Sequence, residues 1–159
     1  GEARTRFTVR ARPIVASRKP VALASICRMK IPPGFASVTP YFFVQDAPSF
    51  VRFLVEGLGG TEVLRSLRPD GAIANAQVRL GSHTVMVSEA SEAYPAMPSS
   101  TYLYVDDADA VMARALRVGA RLEMPVMDMP YGDRQGGLRD AHGNLWWISQ
   151  RIADGPYTA

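Results

Sequence analysis

The chain has 159 residues, of which 47% are hydrophobic and 21% charged, and it carries a formal net charge of +3. A chain this long can bury a core without a disulfide or a structural metal, and its single cysteine, Cys27, excludes an intrachain disulfide and fits a reducing, cytoplasmic compartment. No apolar run approaches the roughly 20 residues that span a bilayer, so a membrane partner is not expected.

Charge is unevenly spread. Residues 1–30 hold eight basic residues and one acid, Glu2. Of the totals of 18 and 15, that leaves ten basic and fourteen acidic residues, a net of about −4, on residues 31–159. The basicity therefore belongs to an N-terminal arm, and nucleic acid is not the expected partner of the domain. The arm reads as an extended or mis-assigned start, with Met29 as the natural first residue, or as an organelle-targeting segment. Its alternating Phe7 and Val9 and the apolar run Val21–Ile26 also allow an added edge strand or a dimer-wrapping arm.

Residues 38–44 (VTPYFFV) are aromatic and β-branched and predict a strand. Asp46 then caps a helix with Pro48 in its first turn and Phe50, Phe53, Leu54 and Leu58 on one face. Gly59-Gly60 end it. Strands are predicted over 61–67, 73–80 and 84–88, with turns at Arg68-Pro69-Asp70-Gly71 and Gly81-Ser82-His83. Residues 91–100 are small, acidic and proline-containing, and read as a linker. The pattern then restarts: a strand over 101–105, a helix capped by Asp106 or Asp107 and stopped by Gly119, a strand over 121–127, a loop over 129–136, and strands over 136–140 and 145–151.

The halves superpose on one another in sequence. At an offset of 61, Tyr41, Val44, Asp46 and Ala47 fall on Tyr102, Val105, Asp107 and Ala108. At 60, Gly59 falls on Gly119 and Arg79 on Arg139. The one-residue slip lies within the helix. The predicted fold is α+β, two βαβββ modules whose curved mixed sheets surround a cavity. Module boundaries are 36–90 and 101–152, with the arm over 1–35 and a tail over 153–159.

Two stretches, VTPYFFVQDA and YGDRQGGLRDAHGNLWWISQR, resemble the glyoxalase / bleomycin-resistance / extradiol-dioxygenase (vicinal oxygen chelate) superfamily, and within it the PhnB-like subgroup. The resemblance covers about residues 36–152, with Ala141 standing where the family usually has proline. It implies the paired modules and a homodimer. In metal-dependent members, His or Glu ligands come from the first and last strand of each module. By alignment those positions fall on Thr39, Val87, Ser100 and Trp147, none of which is a normal ligand for a divalent ion. No cofactor is therefore expected. His83 and His142, the only histidines, both fall in turns.

Alternate strand residues share a face. If Thr39 faces the cavity, so do Tyr41 and Phe43; Ser100 brings Tyr102 and Tyr104; Val87 brings Val85 and Glu89; Trp147 brings Leu145 and Ser149. The alternative is that these aromatics are plain core. Trp146 and Met86 are expected to pack under the helices. Tyr131, Asp133 and Arg134 read either as a rim offering Arg134 to an anionic group or as a loop fixed by an Asp133–Arg134 ion pair, with Gly136-Gly137 permitting a bulge. Asp140-Ala141-His142-Gly143 reads as a structural hairpin. The expected function is metal-independent binding of an aromatic or apolar small molecule. The alternative is a lyase, isomerase or dioxygenase type of enzyme, metal-dependent or with acid/base chemistry from Glu89, Tyr102 or Arg134.

Overall fold

The computed structural model describes residues 30–157; the expectations for the arm, residues 1–29, lie outside them. The first module runs β1 (Tyr41–Val44), α1 (Ala47–Arg52, continued by a π-helical stretch over Phe53–Gly57), β2 (Thr61–Leu67), β3 (Ile73–Leu80) and β4 (His83–Glu89). The second runs β5 (Ser100–Tyr104), α2 (Ala108–Arg117), β6 (Arg121–Asp128), β7 (Asp133–Arg139) and β8 (Leu145–Arg151). Each module makes one four-stranded mixed sheet, ordered β1-β4-β3-β2 and β5-β8-β7-β6, so the βαβββ duplication predicted from the sequence is present. No described helix is long and apolar enough to cross a membrane.

The slip between the halves has a structural cause. The first module has one more residue between its helix cap and its glycine stop. The extra residue is taken up as the π-turn, where Leu58 N–H bonds Phe53 O at 3.2 Å. The offset returns to 61 after the last hairpin, because four residues, Leu80–His83, separate the paired Arg79 and Thr84 where five, Asp140–Asn144, separate the paired Arg139 and Leu145.

The modules meet through their helix-bearing faces. Phe42, Phe50, Phe53, Leu54, Val85 and Val87 of the first module share one core with Val111, Met112, Ala115, Leu138, Trp146 and Ile148 of the second. Trp146 is fully buried, stacks on Phe42 at 5.6 Å between ring centroids, and lies 6.3 Å from Phe53. Its indole N–H donates to Asp140 Oδ2 at 2.8 Å. The Asp140 carboxylate also accepts from the backbone N–H of His142 and Asn144 and from Asn144 Nδ2. Asn144 Oδ1 in turn accepts from Ser99 N–H at 3.0 Å, which fixes the start of β5 beside β8. The Asp-Ala-His-Gly-Asn segment is thus a structural turn, with Gly143 at φ 86°.

Two expectations are corrected. Residues 133–135 are strand, not loop, and the bulges lie in β6, opposite the glycine pair rather than within it. The glycines serve close approach instead. A Cβ on Gly136 would meet Met112 Cε at 3.0 Å, and one on Gly137 would meet the Trp147 ring at 2.9 Å.

Adjacent tryptophans should therefore behave differently. Trp146→Ala is expected to cost about 3–5 kcal/mol in unfolding free energy, and Trp147→Ala, whose indole is only partly buried on the opposite face of the sheet, clearly less. Urea unfolding of both variants checks this; equal losses would contradict the facing assigned here.

Candidate functional site

Strand alternation leaves each sheet with one open face, and the aromatic residues singled out from the sequence divide between them. On the first, Tyr41 and Phe43 project side by side from β1, their ring centroids 4.6 Å apart. Tyr94, from the segment after β4, stacks on Phe43 at 5.5 Å. The Tyr41 hydroxyl lies 2.6 Å from Ser88 Oγ and accepts from Asn75 Nδ2 at 3.4 Å. Tyr41, Phe43, Ser88 and Tyr94, with Arg68 and Ala74, line a groove of about 620 Å³. Such a volume is in the range that holds drug-sized ligands.

The second open face repeats the arrangement 61 residues on. Tyr102 lies 2.8 Å from Ser149 Oγ and 2.9 Å from Gln135 Oε1, as Tyr41 does from Ser88 and, more distantly, Asn75. Tyr104 takes the place of Phe43, and Trp147 the place of Met86. The second face adds a charge. Asp133 is fully buried, and its carboxylate accepts from Ser149 Oγ at 2.9 Å, Tyr102 Oη at 2.9 Å, Tyr157 Oη, and Arg151 Nη1 at 3.0 Å. Burial opposes its ionisation, but the donors from Tyr157, Arg151, Tyr102 and Ser149 outweigh it and hold the carboxyl at about 2. Burial, reinforced by the neighbouring Asp133, pushes the Tyr102 phenol up to about 12 against the opposing bond to Ser149. The hydrogen bond to Asp133 also raises Tyr157. At neutral pH the face therefore presents a carboxylate among protonated phenols.

Several proposed site residues stand elsewhere. Val87 and Val85 are buried in the helix-side core, so neither lines the open face. The five-residue hairpin shifts the repeat, making Met86 the counterpart of Trp147; Met86 is half-buried on the open face rather than under a helix. Glu89 turns to the N-terminus of α1, where its two carboxylate oxygens accept from Asp46 and Ala47 N–H at 2.8 and 2.7 Å. Its counterpart Gln150 accepts from Ala108 N–H at 3.2 Å. Thr39 precedes β1 and donates to Ala36 O at 3.0 Å. Ser100 is exposed at the start of β5.

Arg134 points to the helix side, held by Asp109 and by Asp128 at 2.8 Å, so it is not offered to a ligand and does not pair with Asp133. Tyr131 is exposed at the rim and donates to Gln135 Oε1. Ser88, Asn75, Tyr94, Gln135, Arg151 and Tyr157 join the faces without having been singled out as site residues. The offset of 61 linking Ser88 to Ser149 was the available signal for the first; nothing in the sequence marks the tail's Tyr157.

The metal positions do not supply a ligand set. Trp147 offers carbon, its counterpart Met86 a thioether where the alignment had put Val87, Thr39 is bonded to its own turn, and Ser100 brings one exposed hydroxyl. Among the described residues no three His, Cys, Asp or Glu side chains converge. His83 Nδ1 bonds Ser82 Oγ at 2.9 Å, and His142 packs its ring on Phe50 at 5.1 Å. The residues present do not fit the divalent ion that metal-dependent members carry.

Because the folded-state value of Asp133 lies below the ordinary 3.8, its charge stabilises the fold fully above that pH, and the stabilisation fades as pH falls toward about 2. Wild-type urea midpoints should drop more steeply over that interval than those of Asp133→Asn. Parallel curves would show that Asp133 titrates normally.

Known proteins place this geometry. The chain is 29% identical over 129 residues to an uncharacterized protein of Mycobacterium bovis, covering 74% of this chain and 85% of that one. Among solved structures, TioX from Micromonospora sp. ML1 matches with a TM-score of 0.64 and 27% identity, over 74% of this chain and 99% of that one. TnmS3, an antibiotic binding protein from Streptomyces sp. CB03234, shares the fold at a TM-score of 0.57 and 23% identity, over 73% of this chain and 97% of its own. A PhnB protein from Bacillus cereus shares it at 0.57 and 17% identity, over 72% and 99%. Residues 34–148 match the family model of the Glyoxalase/Bleomycin resistance protein/Dioxygenase superfamily, and the chain belongs to that superfamily.

Proposed function

We propose that this protein binds a planar aromatic small molecule on its open sheet faces, by ring stacking and hydroxyl contacts and without a metal ion. The observation that carries this reading is the groove in which Tyr41, Phe43 and Tyr94 stack around a Tyr41–Ser88 hydroxyl pair. Rings with exposed faces and a few polar contacts are what a flat organic ligand requires. The antibiotic-binding neighbour on the same fold agrees with it.

The acid/base alternative has less support, because each of its candidate groups is committed. Glu89 is spent on two backbone N–H groups, Arg134 is tied to two aspartates, and Tyr102 holds its proton to about 12.

A single chain supplies one wall to each groove. Tyr41 and Tyr102 are each 42% exposed and Tyr104 is 53% exposed, with Leu64 and Leu67 of β2 and Leu122 and Met127 of β6 also open to solvent. A second copy of the chain, covering these faces and supplying the opposite wall, is part of the proposal.

Phe43→Leu keeps most of the volume and removes the ring. It should weaken a planar probe such as 8-anilinonaphthalene-1-sulfonate by about 1 kcal/mol, roughly fivefold, with little change in melting temperature. Fluorescence titration checks this, and unchanged affinity would place the ligand elsewhere. Sedimentation equilibrium should give a dimer mass; a monomer at high micromolar concentration would contradict the second-copy wall.

A further inference from the structure

The second open face is already occupied by part of its own chain. After β8 the tail turns back beside the start of β7, with the N–H groups of Ile152 and Ala153 both donating to Gly132 O, at 3.0 and 3.1 Å. The return path is tight: a Cβ on Gly132 would come within 2.5 Å of Ala153 Cβ, and Gly155 bends the tail at φ 82°. Arg151 Nη2 donates to Gly155 O at 3.1 Å. The path delivers the Tyr157 side chain onto the aromatic face. Its hydroxyl meets Asp133 Oδ2 and Tyr104 Oη, its ring lies under the Arg151 guanidinium at 4.5 Å, and the Tyr131 ring abuts it edge-on at 6.1 Å.

That pose contains every element of recognition for a phenol: an anionic acceptor for the hydroxyl, a planar cation for the ring face and an aromatic edge. Yet the ring that fills it is 51% exposed and hangs from a tail with no strand or helix to hold it. In the first module Tyr94 stacks on Phe43 in the corresponding place, but the repeat puts Ile73 where the second has Asp133, and among the described residues no acidic side chain meets the Tyr41–Ser88 pair.

We infer that Asp133, Arg151, Tyr104 and Tyr131 form a subsite for the hydroxyaryl group of a ligand, and that Tyr157 fills this subsite as an internal competitor until a ligand phenol displaces it. The inference rests on the small-molecule-binding reading above and gives it a ligand class. The hydroxyl is what separates the two modules: the first takes a ring by stacking, the second takes a ring bearing a hydrogen-bond donor. Because a self-filled site lowers apparent affinity by the fraction of molecules in which it is open, removing the plug tightens binding of the right ligand without adding a contact.

The test uses p-cresol, which is the tyrosine side chain as a free molecule, and toluene, the same ring without the hydroxyl. Both are titrated by ligand-observed NMR into the full chain, Tyr157→Ala and Tyr157→Phe. Tyr157→Ala should bind p-cresol about tenfold more tightly than wild type, with toluene changed by less than about twofold, and Tyr157→Phe should lie between, since it keeps the ring over Arg151 but loses the bond to Asp133. The inference is overturned by equal p-cresol affinity in wild type and Tyr157→Ala, by an equal gain for toluene, or by no p-cresol binding to any of the three. None of these outcomes touches the Phe43 groove, whose own titration decides the broader reading.

Discussion

The contact on which the molecule depends is the buried indole of Trp146 at the seam between the modules. It stacks on Phe42 from the other half, and its one polar atom is satisfied by Asp140. Neither half could cover both its helix and its sheet alone; joined at this seam, each covers the other's apolar face. The cost of burying the Asp140 carboxylate is offset by four donors, three of them from its own turn and its neighbour Asn144, so the turn and the seam stabilise one another. Because the helix-side faces are used for joining, the opposite faces stay open.

The separation of faces explains how function can change on this fold without loss of the core. Strand positions alternate, so one residue supports the seam and the next meets solvent or a ligand. Trp146 and Trp147 are the plainest case. On the open faces the two modules keep the same tyrosine–serine pair but differ around it, with Tyr104 for Phe43, Trp147 for Met86 and, the one change of charge class among these, Asp133 for Ile73. That last difference leaves one face apolar and hydroxyl-lined and gives the other a buried carboxylate paired with Arg151. Rings and hydroxyls can hold a flat molecule, but they cannot replace the ligands a divalent ion demands.

Much of this was legible in the sequence. The order of strands and helices, the Asp and Gly helix boundaries and the offset of 61 all follow from local chemistry that the fold does not override. The inward face of Trp146 followed from period-two patterning, as did the grouping of Tyr41 with Phe43 and of Tyr102 with Tyr104; the expectation set those pairs around a cavity between the sheets, but a packed core fills that space and they stand on open faces. What failed did so for a specific reason. Val87 was assigned to the open face by matching it to Trp147, but one extra hairpin residue moves the true match to Met86, and in a strand a shift of one reverses the face. Glu89 and Arg134 looked available because a carboxylate or guanidinium carries no sign of its partner in sequence; here a helix N-terminus and two aspartates claim them. The tail was unreadable because Tyr157 acts through a fold-back that depends on Gly132, some twenty-five residues away.

The central claim is that shape and rings, not an ion, hold the ligand. It is tested most directly by titrating one planar aromatic ligand into chelator-stripped protein, then repeating the titration with Mn, Ni, Zn and Fe(II) added in turn. The account predicts the same affinity in every titration. Binding that appears only when one of the ions is present, with that ion retained at one per site after dialysis, would contradict it.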